Sequence, residues 1–377
     1  PERATRLTAA LVNGAAGHAL DFDDTHTTMI GHPSGPVLPA LLALGETEGA
    51  GGQALLAALV AGVELECRVG TLLGGMHYAA GFHTTGTVGT FGAAAACAHL
   101  LGLDREGWLH ALGLAGTQAA GLKSAFGTMA KPLHAGRAAS AGLLSALLAR
   151  GGFTSQRAIL EASQGFLATH AGGEASDEVL ARYADRFLIR ETLFKYHAAC
   201  HLTHASIEAA GQLRERHGLD REKIGAVEVR VAPPLLDVCN IEEPKTGLEG
   251  KFSLRATTAL ALLGEDTSDL SIYSEAKMAE PQLVALRDRV RVIPTEGLGP
   301  MQAQVRIEGD GQHCEAETDI NVPASDLDAQ GRRLRGKFLT LAAPVLGAGR
   351  AAELCDAVSS APEIGSVAEL VRMARPG

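Results

Sequence analysis

Between Arg6 and about Gly151, apolar residues recur at three- and four-residue spacing with Gly and Pro as punctuation, the signature of packed helices. The spacing predicts helices over residues 7–22, 37–48, 53–73, 87–101, 105–120 and 133–150. Asp104 is the expected N-cap of the fifth, and Gly151-Gly152 the expected stop of the sixth. After about Arg190 the period shortens. Val227, Val229 and Val231 alternate with Glu228 and Arg230, predicting a strand over 224–231, and further strands are expected over 289–293 and 304–308. Glu308-Gly309-Asp310-Gly311 supplies a turn, with a partner strand over 312–320. Residues 324–374 return to helical composition. The fold class read from this pattern is mainly α with an α+β insertion: an all-helical domain over 1–190, an α+β domain over 191–322, and a return to the helical domain over 323–377.

Composition sharpens this picture. The chain has 377 residues, 46% hydrophobic and 20% charged, enough apolar surface to fold and long enough to prefer two domains. Only 4% is aromatic, beside 45 Gly, so small side chains let helices approach closely. A net charge of -10 has the wrong sign for gripping phosphate backbones, so no nucleic-acid partner is expected. An anionic substrate would need a local cluster of Lys, Arg and His that reverses this field. The longest apolar stretches, such as 54–63, stop short of a bilayer span and run into Glu64 and Glu66, so no membrane helix is expected. Six scattered cysteines without CxxC spacing suit reduced thiols and a cytoplasmic setting. The chain opens at Pro1-Glu2-Arg3 with neither signal peptide nor initiating Met, so an upstream segment is expected.

Four polar islands stand out. The first, Leu20-Asp21-Phe22-Asp23-Asp24-Thr25-His26 with Gly31-His32-Pro33-Ser34-Gly35, holds three carboxylates within four positions. These are costly unless a cation lies nearby, and a solvated helix end is the plainer alternative. In Gly81-Phe82-His83-Thr84-Thr85-Gly86 a His and hydroxyls precede an Ala-rich helix whose N–H groups favour an anion; a simple N-cap is the bland reading. Gly127 to Arg137 offers Lys131 and Arg137 to a carboxylate, although surface cations are commonplace. Finally, Lys195 to His204 sets His197, His201 and His204 on one helical face, but the spacing fits no zinc motif and HExxH is absent, so no metal is expected. Neither GxGxxG, a Walker sequence nor GxSxG occurs, which argues against a nucleotide cofactor and a serine-hydrolase elbow.

Taken in order, Asn13-Gly14, His18-Ala19-Leu20-Asp21-Phe22-Asp23-Asp24-Thr25, His32-Pro33-Ser34, Gly81-Phe82-His83, Lys131-Pro132-Leu133-His134-Ala135-Gly136, Gly152-Phe153-Thr154, Gly165-Phe166 and Lys251-Phe252-Ser253 resemble the MmgE/PrpD family across nearly the whole chain. The resemblance implies a large helical domain with a smaller α+β lid, a cleft between them, a homodimer and no cofactor. The family contains 2-methylcitrate dehydratases, cis-aconitate decarboxylases and an iminodisuccinate epimerase. Its members begin some tens of residues further upstream, which implies N-terminal helices absent here. Carried over residue by residue, the family's site falls on Asp21, Thr25, His32, His83, Lys131, Lys195 and His201. His32 and His83 are the expected proton carriers, with Asp21 orienting or charging one of them and Thr25 donating a neutral hydrogen bond. Lys131, Lys195 and His201 are the expected clamp on a small polycarboxylate.

Two departures bear on substrate. Where the decarboxylases place a Tyr shortly after the Lys-Phe-Ser stretch, this chain reads Leu254-Arg255-Ala256-Thr257. Dehydratase-like members often carry Arg at the position of His201, where decarboxylases tend to carry His. The expectation is a lyase, foremost a 2-methylcitrate dehydratase-like hydro-lyase, with decarboxylase- and epimerase-like activities as alternatives and a decayed helical scaffold as the non-enzymatic one.

Overall fold

The computed structural model describes residues 4–171, 177–219, 221–309 and 312–376. The chain divides into two compact units, one made of Pro1–Phe194 and Ala342–Gly377, the other of Lys195–Leu341.

The first unit is helical. Its helices are α1 (Arg6–His18), α2 (Ser34–Glu48), α3 (Gly52–Ala79), α4 (Thr84–Leu100), α5 (Arg105–Gly116) and α6 (Ala130–Arg150). Helix α4 is central, packed by α2, α3, α5 and α6. Every residue from Thr84 to Ala98 is buried, which the run of Thr, Gly and Ala permits because this stretch carries no charged side chain and Phe91 is its single bulky one. Around it Leu41, Leu44 and Leu143 are fully buried, as is Phe91 of α4 itself.

The six predicted helices all form, and their altered ends are informative. Helix α1 stops at His18 rather than at residue 22, because continuing would stack Asp21, Asp23 and Asp24 on the negative end of the helix dipole. Asp21 instead takes φ +49, a left-handed conformation that Asp tolerates. Helix α2 begins at Ser34, earlier than expected, because the Asp24 carboxylate accepts from both the N–H and the hydroxyl of Ser34. Helix α3 breaks at Gly74 (φ 58, ψ -165), immediately after its predicted end, then continues to Ala79. Helix α6 takes Pro132 in its first turn, where the missing N–H costs nothing. Asp104 caps α5 as expected, accepting from the Gly107 N–H.

Helices α1 and α6 touch through glycine. A Cβ on Gly14 would lie 2.7 Å from Gly136 Cα, and one on Gly136 would lie 2.2 Å from the Leu11 carbonyl oxygen. This contact fixes the end of α1 against the start of α6. A two-stranded antiparallel pairing of β1 (Asp24–Thr25) with β2 (Leu193–Phe194) ties down the chain after α1.

The second unit carries a four-stranded sheet ordered β4-β3-β5-β6, formed by β3 (Ala226–Val231), β4 (Val290–Pro294), β5 (Gln302–Gly309) and β6 (Gln312–Asp319). Strands β3 and β4 are parallel, while β5 pairs antiparallel with β3 and β6. Val227, Val229 and Val231 point to the buried face as their alternation predicts. The helices His204–His217 and Leu254–Leu263 pack together, the former also against β5 and β6. Asp310 and Gly311 of the predicted turn lie outside the described residues. The tail is helical over Leu327–Leu346, Ala348–Ser359 and Val367–Met373. No helix among the described residues is long and apolar enough to cross a membrane.

Candidate active site

The first unit gathers Asp21, His32, His83 and Lys131, and adds three residues that sequence reasoning does not select: His18, Asp23 and His134. The ends of α1, α4 and α6 and the segment between α1 and α2 supply them. His18 is the last residue of α1, His83 the N-cap of α4, and Lys131 and His134 lie three apart near the start of α6, on one face. The loop carrying His32 is pinned by a bridge between His26 and Gly31 and by a 2.9 Å hydrogen bond between His26 Nε2 and the Leu188 carbonyl. The His32 N–H donates to Thr85 Oγ1 at 3.1 Å, which anchors that loop to the first turn of α4.

Asp23, rather than Asp21, is the main partner of the imidazoles. One of its carboxylate oxygens lies 2.7 Å from His18 Nδ1 and the other 3.0 Å from His32 Nδ1. Asp21, the residue expected to orient an imidazole, reaches His32 Nε2 only at 3.5 Å and forms its short contact, 2.7 Å, with Lys131 Nζ. The positive φ at Asp21 accounts for this, since it breaks the alternation of the segment and aims the two carboxylates at different partners. The His18 and His32 rings meet edge to face at 4.5 Å, and His18 stacks at 6.1 Å on His83. His83 Nδ1 and His134 Nδ1 are 2.9 Å apart. Phe126 closes one side, 4.9 Å from the His83 ring and beneath the Lys131 ammonium.

Electrostatics separate the charged from the neutral groups. Burial opposes ionisation of Asp23, but His32 and His18 outweigh it and hold its carboxyl well below the usual range. Asp24 behaves oppositely: burial, with the charge of Asp23 beside it, pushes its pKa up to about 7 despite the hydrogen bonds from Ser34. Behind it Glu66, completely buried, is raised well above the usual value by burial and by Asp24. His83 is pushed down to about 2 by burial and by the neighbouring His18, His134, Lys131 and His32, so its ring is neutral. Thr84, the first residue of α4, holds its hydroxyl buried without a hydrogen-bond partner among the described residues. A donor there adds to the positive end of a long helix.

His18, Asp21, Asp23 and His32 each present a ligand atom within 4.8 Å of the others, a donor set that a borderline cation such as zinc could use. The hydrogen-bonded contacts of Asp23 to both imidazoles account for the same closeness without an ion.

Of the remaining expected residues, Thr25 lies in β1 opposite Leu193. Lys195 and His201 belong to the second unit. Lys195 is buried, and its carbonyl accepts from Lys337 Nζ at 2.7 Å. His201 opens the turn His201–Thr203, with its ring 5.0 Å from that of His204. His197 is held between Thr267 Oγ1 at 2.6 Å and Glu208 at 3.0 Å.

Residues 1–178 match the MmgE/PrpD N-terminal domain, and residues 197–361 the MmgE/PrpD C-terminal domain. The chain is 32% identical over 303 residues to a cis-aconitate decarboxylase of Homo sapiens, a match covering 75% of this chain and 60% of that protein. It is 28% identical over 397 residues to a cis-aconitate decarboxylase of Aspergillus terreus, covering 97% of this chain and 81% of the relative. The cis-aconitate decarboxylase-like protein oryM of Aspergillus oryzae is 33% identical over 225 residues, 55% of this chain and 47% of its own.

Proposed function

The chain belongs to the MmgE/PrpD family, and on that premise we propose that it is a lyase acting on a small polycarboxylate, with decarboxylation of a cis-aconitate-like acid as its reaction. The observation that carries the reading is the convergence of Lys131, the Asp23-bridged pair His18 and His32, and the neutral His83 around one end of the helical unit. It supplies the local cationic cluster that a chain of net charge -10 needs to hold an anion.

Loss of CO₂ breaks a carbon–carbon bond and leaves its electron pair on the remaining skeleton, where a neighbouring carboxylate or alkene spreads it. A proton then takes the place of CO₂. Such a site must hold the spectator carboxylates, stabilise the transient charge with fixed donors and deliver one proton. Lys131 and the N–H groups and Thr84 hydroxyl at the start of α4 are the donors suited to carboxylate oxygens. His32, kept in place and polarised by Asp23, and His83 are the proton carriers. Dehydration of 2-methylcitrate has no specific support from the relatives described above, which are decarboxylases or decarboxylase-like by name.

The test is to incubate the protein with cis-aconitate, 2-methylcitrate, citrate and iminodisuccinate while following CO₂ release, unsaturated-acid absorbance and optical rotation. CO₂ from cis-aconitate is expected. Unsaturated product from 2-methylcitrate without CO₂ would replace decarboxylase by hydro-lyase, and no turnover of any acid would overturn the lyase reading.

A further inference from the structure

His83 is 3% exposed, so while substrate covers it the ring has no direct proton exchange with water. Its Nδ1 instead meets Nδ1 of His134 at 2.9 Å, an N–H···N distance at which one ring donates and the other accepts. Backbone contacts set the two residues side by side. The His83 N–H donates to the Gly121 carbonyl at 3.0 Å, and a Cβ on Gly121 would lie 3.4 Å from both His134 Nδ1 and the His83 carbonyl. Beyond His134 lies a cavity of about 360 Å³ lined by Thr90, Gln118, Ser124, His134 and Arg137. It is large enough for several waters, to which Thr90, Gln118, Ser124 and Arg137 offer hydrogen-bonding groups. Arg137 forms no ion pair among the described residues, and burial with the nearby His18 lowers the pKa of His134, which disfavours a trapped imidazolium there.

From this geometry we propose that His134 is the relay partner that keeps His83 neutral while it donates: as His83 releases its Nε2 proton to the carbon that lost CO₂, its Nδ1 takes the Nδ1 proton of His134, which is reprotonated at Nε2 from the cavity, and once product leaves, water in the emptied site returns a proton to His83 Nε2 as the two inner shifts run backward and His134 Nε2 gives its proton to the cavity. One proton enters from water for each one placed on product, and neither imidazole passes through a lasting charged state. The depressed basicity of His83 agrees with this, since a ring that cannot store a second proton can pass one only by exchanging it across its two nitrogens. His134 acts through His83 and is a positioning and relay residue. The inference rests on the lyase reading for its consequence in turnover, but not for the existence of the relay.

The experiment therefore has two arms. In the first, ¹⁵N NMR of histidine-labelled protein follows exchange of the His83 ring proton with D₂O in the wild type and in His134→Gln, which keeps a hydrogen-bonding side chain but cannot transfer a proton between two nitrogens. Exchange at least tenfold slower in the variant is expected; equal exchange overturns the relay whether or not the protein turns over any acid. In the second, His134→Ala and His134→Gln are assayed on the substrate found active. A 10- to 100-fold loss in kcat with KM within twofold is expected, with saturable recovery of the Ala variant by added imidazole. Wild-type kcat in His134→Gln, or loss in His134→Ala that imidazole never restores, overturns the proposal. A wild-type protein inactive on every polycarboxylate sinks the lyase reading alone and leaves the exchange arm to decide the relay.

Discussion

Asp23 holds His32 by its Nδ1 at 3.0 Å while giving its other oxygen to His18. One carboxylate thereby fixes the orientation of an imidazole and stabilises its protonated form. Asp23→Asn keeps the size but loses the charge and one acceptor. A fall in kcat of about 10²- to 10⁴-fold, with a circular-dichroism melt close to wild type, is the expected outcome. Wild-type kcat would show that His32 needs no charged partner.

Lys131 and Asp21 form one ion pair at 2.7 Å, so their contributions are coupled. Lys131→Met is expected to lower kcat/KM by about 10²- to 10³-fold, and Lys131→Arg to recover it only partly, because a planar guanidinium is no substitute for a compact ammonium. In a cycle with Asp21→Asn, the double variant should depart from additivity by about 0.5–3 kcal/mol. Strict additivity would mean the two act independently.

The glycine contact between α1 and α6 predicts a sharp contrast. Gly136→Ala drives a methyl to 2.2 Å from the Leu11 carbonyl, and backbone must yield. A loss of about 1–3 kcal/mol or more in denaturant unfolding is expected, with activity falling as His18 and Lys131 separate. Gly17, on the same helix as Gly14, has open space where a methyl would go, with nothing within 4 Å, so Gly17→Ala should be neutral or stabilising by about 0.5–1 kcal/mol.

Asp24 sets a pH slope on stability. Its folded pKa of about 7 exceeds the ordinary 3.8, so between these values only the folded chain holds the proton. The stabilisation is full below about pH 4 and is lost as pH rises through 7. His83, kept neutral in the fold, gives the opposite slope below 6.5. Comparing wild type with Asp24→Asn cancels His83. The melting temperature of the variant should fall less between pH 5 and 8 than that of the wild type; an equal fall would show that Asp24 is ionised throughout.

Much of this is legible in the sequence because helix period is a local property. The six N-terminal helices and the alternating valines of β3 follow from spacing alone, and the motifs that point to His32, His83 and Lys131 also contain His18, Asp23 and His134. The last has a usable signal: three residues after Lys131 on a helix, it has to share its face. Which carboxylate serves which imidazole is not legible, because it depends on a left-handed residue at Asp21 that no periodicity announces. Glu66 is equally hidden. In sequence it reads as the polar end of an apolar stretch, but it is packed into the core, where a Cβ on Gly92 would lie 2.4 Å from its Oε2.

The unbroken burial of α4 from Thr84 to Ala98 has a practical corollary for redesign. A rod built mostly of alanine, glycine and threonine and gripped on all sides has little spare volume to trade: an enlargement on any face pushes on the element packed there. New substrate preferences should therefore be sought among rim side chains, with this mandrel and the His83 seated at its tip left untouched.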